Sequence, residues 1–158
     1  MRTFAVILFT IAMLTLVSAC ANSYTTSATM TIGEVSSERL ISDHPSFMQS
    51  YRAFQLSESD IAEVKAWPSD LHVDVYFGTW CHDSQREVPH FLKIVAEKTE
   101  LSNRLIGLDY EKSEPNGTAK SHDIKYTPTF VVYQNNKEIG RIVERPKVSL
   151  AADISAML

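Results

Sequence analysis

The chain has 158 residues, a length that suits one domain and scarcely two. Its hydrophobic fraction of 44% and charged fraction of 22% are those of a globular protein, so a disordered or collagen-like chain is excluded. The net charge of −4 provides no basic surface for nucleic acid, and we predict no nucleic-acid partner. Two cysteines are too few for a disulfide-stapled mini-fold or a four-cysteine zinc site, and we predict no metal and no cofactor.

The N-terminal segment has the pattern of a targeting signal. Arg2 precedes a run from Phe4 to Val17 that is apolar apart from two threonines. This run is 14 residues long, shorter than the roughly 20 that cross a bilayer as a helix. Its length and flanks are typical of the apolar region of a secretory signal peptide, and we assign residues 1–19 to such a peptide.

The next residues resemble a lipoprotein processing site. Val17-Ser18-Ala19-Cys20 is similar to the lipobox of bacterial lipoproteins, which implies cleavage before Cys20 and lipid attachment to its sulfur. Several acyl chains on one residue would form a stable membrane anchor. Residues 20–32 are then the lipidated cysteine and a flexible tether, and residues 33–158 form the domain. Ala21 favours the outer over the inner membrane by the enteric sorting rule, so we expect the domain in the periplasm of a bacterial cell envelope.

The first half of the domain is predicted to contain three helices and a strand. Asp43, two positions before a proline, caps a first helix whose apolar residues follow at helical spacing. A second helix runs over about Ser57–Trp67. Apolar and polar residues alternate over Leu71–Phe77, which predicts a strand, and the third and longest helix follows over about His82–Lys98.

The second half is predicted to contain a strand, a short helix, a hairpin and a last helix. Their predicted ranges are Leu105–Tyr110, Thr118–His122, Thr129–Tyr133 with Glu138–Val143, and Lys147–Met157. Strands that alternate with helices and end in a hairpin indicate an α/β fold. We expect a mixed central sheet with helices on both faces.

The turn after the first predicted strand resembles the active site of the thioredoxin family. It reads Phe77-Gly78-Thr79-Trp80-Cys81-His82-Asp83-Ser84, and Pro89 follows the cysteine by eight residues within the long helix. Farther along the chain, Thr127-Pro128-Thr129 matches the segment in which the family has a cis proline that faces the cysteine. The resemblance covers about Leu71–Leu158 and implies a thioredoxin-like fold.

The same resemblance implies the roles of the site residues. Cys81 is expected to react with disulfides, while Trp80, Thr127 and Pro128 form the surface that binds the substrate. The helix start also favours the reactive thiolate on physical grounds, because the helix dipole and free backbone N–H groups stabilise a negative charge there.

Two residues beside the cysteine have two interpretations. A protonated His82 would favour the Cys81 thiolate, and Asp83 would oppose it, so both would tune the reaction. Alternatively, His82 and Asp83 are solvated residues of an exposed helical turn.

The sequence departs from the thioredoxin pattern at the second cysteine of the active site. Ser84 stands there; its hydroxyl can donate a hydrogen bond to the Cys81 thiolate but cannot close a disulfide. The family's buried acid is replaced by Val75, and the adjacent Asp74 points to the opposite side of the strand. Gly107 replaces the lysine that often accompanies that acid. The proton relay that serves a resolving thiol is therefore missing together with the thiol.

Two functions are compatible with these residues. The first is thiol–disulfide exchange through Cys81 alone, with protein or small-molecule thiols and disulfides as partners and the membrane as the anchoring surface. The second is a non-catalytic peptide-binding or redox-sensing module. The residues before Cys81 lack the Pro-x-x-x-Thr-x-x-Cys pattern of peroxiredoxins, which disfavours a thiol peroxidase. The sequence carries no signal of the oligomeric state.

Overall fold

The computed structural model describes residues 29–158. The predicted signal peptide of residues 1–19, the lipidation site Cys20 and most of the tether lie outside this range. Within it, no helix combines the length and the apolar character needed to cross a bilayer. The packed part of the chain begins inside the predicted tether, because the Thr31 hydroxyl is hydrogen-bonded to Nε2 of the buried His44 at 2.7 Å.

Five strands and six helices make up the described range. The strands are β1 (Gly33–Val35), β2 (Leu71–Phe77), β3 (Ser102–Gly107), β4 (Thr129–Gln134) and β5 (Lys137–Val143). The helices are α1 (Ser37–Asp43), α2 (Pro45–Ala53), α3 (Glu58–Ala66), α4 (His82–Glu97), α5 (Thr118–Ser121) and α6 (Leu150–Ser155).

The strands form one mixed sheet in the order β1-β3-β2-β4-β5. β2 runs parallel to β3 and antiparallel to β4, while β1 and β5 are antiparallel edge strands. The central strand β2 is buried along nearly its whole length, which suits its continuous run of large side chains. This architecture confirms the predicted α/β fold with a mixed central sheet.

Alternation of side chains along β2 divides the apolar core between the two faces of the sheet. On the first face, Val73, Val75 and Phe77 pack against apolar residues of every helix except α5. On the second face, Tyr76 packs with Ala119 of α5 and with residues of β3 and β4. Helices therefore cover both faces, as predicted, but the second face carries only the short helix α5 within the described range.

The structure differs from the sequence-based prediction before β2. Asp43 does not cap α2 but ends α1, a helix the prediction lacked, and His44 is the residue before Pro45 that starts α2. The strand β1 was also missed, because its three residues are defined by pairing with β3 rather than by a local pattern. The second predicted helix is confirmed as α3, whose capping box joins Ser57 and Asp60.

The strand predicted over Leu105–Tyr110 lies about three residues earlier in the structure, as β3. The Leu108 N–H still donates to the Phe77 carbonyl at 2.7 Å, but Asp109 then folds into a turn and its carboxylate accepts the Ser113 N–H at 2.7 Å. The side-chain acceptor of Asp109 therefore ends the strand before the apolar pattern ends.

The C-terminal elements agree with the prediction except at the start of α6. The hairpin β4–β5 is confirmed, and its two-residue turn places Asn135 and Asn136 at positive φ. The last helix begins at Leu150 and not at Lys147, because Ser149 is its cap and accepts the Ala152 N–H at 3.0 Å. The loop after β5 thereby remains non-helical beside the site described next.

Candidate active site

Cys81 lies where the buried strand β2 gives way to helix α4. Its N–H donates to the Gly78 carbonyl at 3.0 Å, and its own carbonyl accepts the Gln85 N–H at 2.9 Å, so it is the N-cap residue of the helix. Its side chain is half-buried and makes no capping bond. The thiol is thus placed beside the unpaired N–H groups and the positive dipole end of a 16-residue helix, as the sequence predicts.

The turn before the cysteine is held by side chains on both sides. The Trp80 indole lies over Gly78 so closely that a Cβ there would be 2.5 Å from Cε2, which explains the glycine. Trp80 Nε1 donates to the Leu108 carbonyl at 3.1 Å, and Gln85 Nε2 donates to the Thr79 carbonyl at 2.8 Å. These bonds fix the direction in which the chain presents Cys81.

The predicted substrate-facing segment lies directly against the thiol. The Thr127–Pro128 peptide bond is cis, in agreement with the resemblance. The Cys81 Sγ–H donates to the Thr127 carbonyl at 3.1 Å, a donor role that only the protonated thiol can fill. Cys81 and Thr127 are 46 residues apart in sequence. Their hydrogen bond brings the thiol into one site with Thr127 and Pro128.

Ser84 is close to the site but is oriented differently from the prediction. It is fully buried, and its hydroxyl accepts the Gly78 N–H at 3.2 Å. Among the hydrogen bonds of residues 29–158, none joins Ser84 to Cys81. The Gly78 N–H lies just past the end of β2 and needs an acceptor, so Ser84 holds the turn that positions the cysteine.

An aromatic surface adjoins the cysteine. The half-buried Trp80 ring contacts Tyr110 with a centroid distance of 4.9 Å, and Lys112 Nζ lies 5.6 Å from the indole centroid. Tyr110 and Tyr126 are both exposed. Tyr110 was predicted as the end of a strand and not as part of the site, because only the long-range contact with Trp80 reveals its place there.

The first turn of α4 carries a small network of charges. Asp83 Oδ1 lies 2.8 Å from Arg86 Nη2 and 3.6 Å from Arg145 Nε, and Arg86 Nε donates to the buried Glu87 at 2.6 Å. The hydrogen bond to Glu87, together with Asp83, raises the pKa of Arg86. The charge of Asp83 is therefore compensated. His82 is exposed, which favours the interpretation of that residue as solvated.

The structure explains why Val75 and Gly107 stand where the thioredoxin pattern has a buried acid and a lysine. Val75, at the position of the family's acid, is fully buried in the apolar cluster, and Asp74 lies on the second face. Burial of Asp74 opposes ionisation, but hydrogen bonds from His72 and Arg104 hold its pKa at about 2. Gly107 has no room for a side chain, because a Cβ there would collide with the Thr31 carbonyl.

Metal ligands are not grouped in the described part of the chain. Between residues 29 and 158, no set of three or more histidine, cysteine, aspartate or glutamate side chains is arranged to hold a metal ion. His122 lies on the second face of the sheet, where its Nδ1 is 3.3 Å from the Tyr133 hydroxyl.

Comparisons with known proteins agree on the fold. The model of the family described as Thioredoxin matches residues 38–154. Thioredoxin H9 of Arabidopsis thaliana is 28% identical over 83 residues, which make up 52% of this chain and 56% of that relative. The chain thus aligns with little more than half the length of this curated relative.

Two solved structures share the architecture. A protein of unknown function from Pseudomonas aeruginosa is 13% identical and superposes with a TM-score of 0.64 over 80% of this chain and 92% of its own. An HIV epitope-scaffold is 14% identical, with a TM-score of 0.55 over 78% of this chain and 85% of its own. At these identities the likeness shows the fold alone.

Proposed function

Since this chain belongs to the thioredoxin family, we propose that it exchanges thiols and disulfides through the single cysteine Cys81. One observation carries the proposal: the half-buried thiol lies at the N-terminus of α4 and against the carbonyl of Thr127, beside Pro128. A helix start favours the thiolate, and the thiolate is the nucleophile of disulfide exchange. Ser84 supplies no second thiol, so the first step leaves a mixed disulfide that only an external thiol can resolve.

The reaction has two balanced steps. The Cys81 thiol first loses its proton to solvent; its sulfur then attacks a partner disulfide R–S–S–R′, forms a Cys81–S–S–R bond and expels R′–S⁻. A thiolate from a second molecule next attacks the R sulfur, forms a new disulfide with R and restores the Cys81 thiolate. No net oxidation occurs, because one disulfide is consumed and one is produced.

The surroundings of Cys81 support both binding and release. Loss of the thiol proton breaks the hydrogen bond to Thr127, so that this carbonyl can accept an N–H from an extended partner segment. The half-buried ring of Trp80 and the exposed ring of Tyr110 provide apolar contact beside it. A mixed disulfide formed here has no internal thiol to resolve it and therefore persists until an external thiol arrives.

Trapping of the mixed disulfide tests the exchange function. When the protein is incubated with oxidised glutathione, intact-mass spectrometry should show one added glutathionyl group per chain, and added thiol should remove it. Both proteins carry Cys20→Ala so that Cys81 is the one thiol, and Cys81→Ser should then gain none, because the nucleophile is absent. If the wild-type Cys81 remains unmodified under these conditions, exchange is refuted, and the peptide-binding module becomes the better interpretation.

We also propose that the protein is a lipid-anchored component of a bacterial cell envelope. The apolar run after Arg2 and the Val17-Ser18-Ala19-Cys20 motif support this location, and Ala21 favours the outer membrane.

Mass spectrometry of the membrane-extracted protein tests the anchor. We expect the mature chain to begin at Cys20 and to carry added acyl mass, because the motif directs cleavage and lipid attachment there. Cys20→Ala should abolish both the acyl mass and membrane retention. A mature N-terminus elsewhere without acyl mass would contradict the proposal.

A further inference from the structure

The loop between β5 and α6 brings an arginine to the rim of the Cys81 site. The Glu144 N–H donates to the Pro128 carbonyl at 2.7 Å, and the Arg145 N–H donates to the Val143 carbonyl at 2.7 Å. The Arg145 side chain then reaches Asp83, two residues after the cysteine, with 3.6 Å between Nε and Oδ1. The loop backbone is thus bonded to Pro128, and the Arg145 side chain contacts the first turn of α4.

Arg145 can leave Asp83 for another anion without leaving the Asp83 carboxylate unpaired. Asp83 is held more closely by Arg86, at 2.8 Å, and Arg86 also binds the buried Glu87. The side chain of Arg145 is 68% exposed, against 42% for Arg86. If Arg145 leaves Asp83 for another anion, Asp83 keeps its ion pair with Arg86.

Resting on the exchange function proposed above, we infer that Arg145 selects partners that carry a carboxylate next to the disulfide attacked by Cys81. As such a partner approaches, the guanidinium of Arg145 exchanges Asp83 for the partner's carboxylate and orients the disulfide toward the thiolate. The covalent step is unchanged: the Cys81 sulfur joins one partner sulfur, and the other leaves as a thiolate.

The other charges at this rim set the size of the effect. Asp83 and Glu87 are both paired with Arg86, whereas Glu144, the sequence neighbour of Arg145, opposes an anionic partner. The carboxylate of Asp153 is held by the N–H groups of Lys147 and Val148 in the same loop. Because Arg145 is exposed, its attraction is screened by salt. We expect a selectivity of several-fold that depends on ionic strength.

Two small disulfides of opposite charge test the inference. The rate of mixed-disulfide formation is measured by mass spectrometry with oxidised glutathione, which carries carboxylates, and with cystamine, which carries only ammonium groups. Arg145→Glu should lower the glutathione-to-cystamine rate ratio by about threefold to tenfold at low salt, and the difference should shrink at about 0.5 M salt. Arg145→Lys should retain most of the ratio.

Arg39→Glu is the matched control, because it makes the same change of charge at an exposed arginine that pairs with Asp43 on α1, outside the contacts of the site. Its rate ratio should equal that of the wild type. An equal ratio in Arg145→Glu and wild type, with mixed disulfides formed in both, would overturn the role of Arg145 and leave the exchange function intact.

Alkylation separates the inference from the exchange function. Iodoacetate is an anion and iodoacetamide is neutral, and both modify a thiol without any disulfide. Arg145→Glu should lower the iodoacetate-to-iodoacetamide rate ratio at Cys81 even if no mixed disulfide forms with either probe. If exchange fails and this ratio is also unchanged, both the proposed function and the role of Arg145 are wrong.

Discussion

Replacement of Ser84 with cysteine is expected to convert the single-thiol site into a dithiol site that reduces insulin catalytically. Residues 81 and 84 are three apart at the start of α4, a spacing that brings side chains to the same side of a helix, about 5 to 6 Å apart at Cβ. This separation exceeds the roughly 3.5 to 4.5 Å between the Cβ atoms of a disulfide, so closure requires the start of α4 to adjust, which is easiest at the non-helical N-cap residue Cys81. The variant would then resolve its own mixed disulfides.

The substitution also removes a hydrogen bond, and its cost should be small. The Ser84 hydroxyl accepts the Gly78 N–H at 3.2 Å, and sulfur is a weaker acceptor than oxygen. We therefore expect a loss of about 1 kcal/mol in the free energy of unfolding, which leaves the fold intact. Turnover should remain modest, because Val75 supplies no carboxylate to accept the proton of the new buried thiol.

Insulin reduction and thiol counting measure the effect. With dithiothreitol as the final reductant, Ser84→Cys should exceed the wild-type rate by at least about tenfold, since an internal thiol replaces a bimolecular step. After oxidation it should lose two free thiols per chain and remain a monomer on denaturing gels. If both thiols still react freely after oxidation, the assigned geometry of the site is wrong.

Ser102→Cys provides the control for an added thiol. Ser102 pairs with His72 at the beginning of β2 and β3, whereas Cys81 follows the opposite end of β2. A cysteine at residue 102 cannot reach Cys81 without disruption of the sheet. This variant should show neither an internal disulfide nor increased insulin reduction.

The strand–turn–helix of the site was predictable because its determinants are local. The alternating residues of β2, the glycine and tryptophan of the turn and the proline within α4 all act on their immediate neighbours. The hairpin was predictable for the same reason, since Asn135 and Asn136 favour the positive φ that a two-residue turn requires. The local sequence pattern was therefore sufficient to predict that Cys81 lies at the start of a helix.

The partners of these residues were not predictable, because they depend on contacts between distant parts of the chain. The sequence offered Ser84 as a hydrogen-bond donor to the Cys81 thiolate, but in the fold its hydroxyl accepts the N–H of Gly78. Tyr110 lies at the end of a strand-like pattern and Arg145 lies in a loop, and only the folded sheet brings them to Trp80 and Asp83. The sequence thus indicated the cysteine of the proposed site, while the structure supplied the side chains that surround it.

The second face of the sheet is also held by contacts between distant residues. Removal of Arg104 from this face is expected to destabilise the protein. The carboxylate of Asp74 is almost completely buried and accepts bonds from Arg104 Nε at 2.7 Å, Arg104 Nη2 at 2.5 Å and His72 Nε2 at 2.7 Å. Arg104→Met would leave this buried charge without its guanidinium. Because the Arg104 side chain is 41% exposed and His72 stays bonded to the carboxylate, we expect the free energy of unfolding in urea at neutral pH to fall by about 2 to 3 kcal/mol.

Two further variants isolate the cause of that loss. Arg39→Met removes an exposed pair with Asp43 and should change stability by less than about 1 kcal/mol. Asp74→Asn combined with Arg104→Met removes both charges and should be more stable than Arg104→Met alone, because no unpaired carboxylate remains. If the double variant is as unstable as the single one, lost packing and not the charge is responsible.

The dependence of stability on pH gives an independent measure of the pair. Asp74 has a pKa of about 2 in the folded protein, below the ordinary value of about 3.9 that it regains on unfolding. Its contribution, about 2 to 3 kcal/mol, is therefore complete above about pH 5 and is lost as the pH falls toward 2. Asp74→Asn should flatten the acid side of the stability profile over this interval, measured by urea unfolding at a series of pH values. A slope as steep in Asp74→Asn as in the wild type would show that other carboxylates cause the acid sensitivity, and that the Asp74–Arg104 pair does not hold the second face of the sheet together.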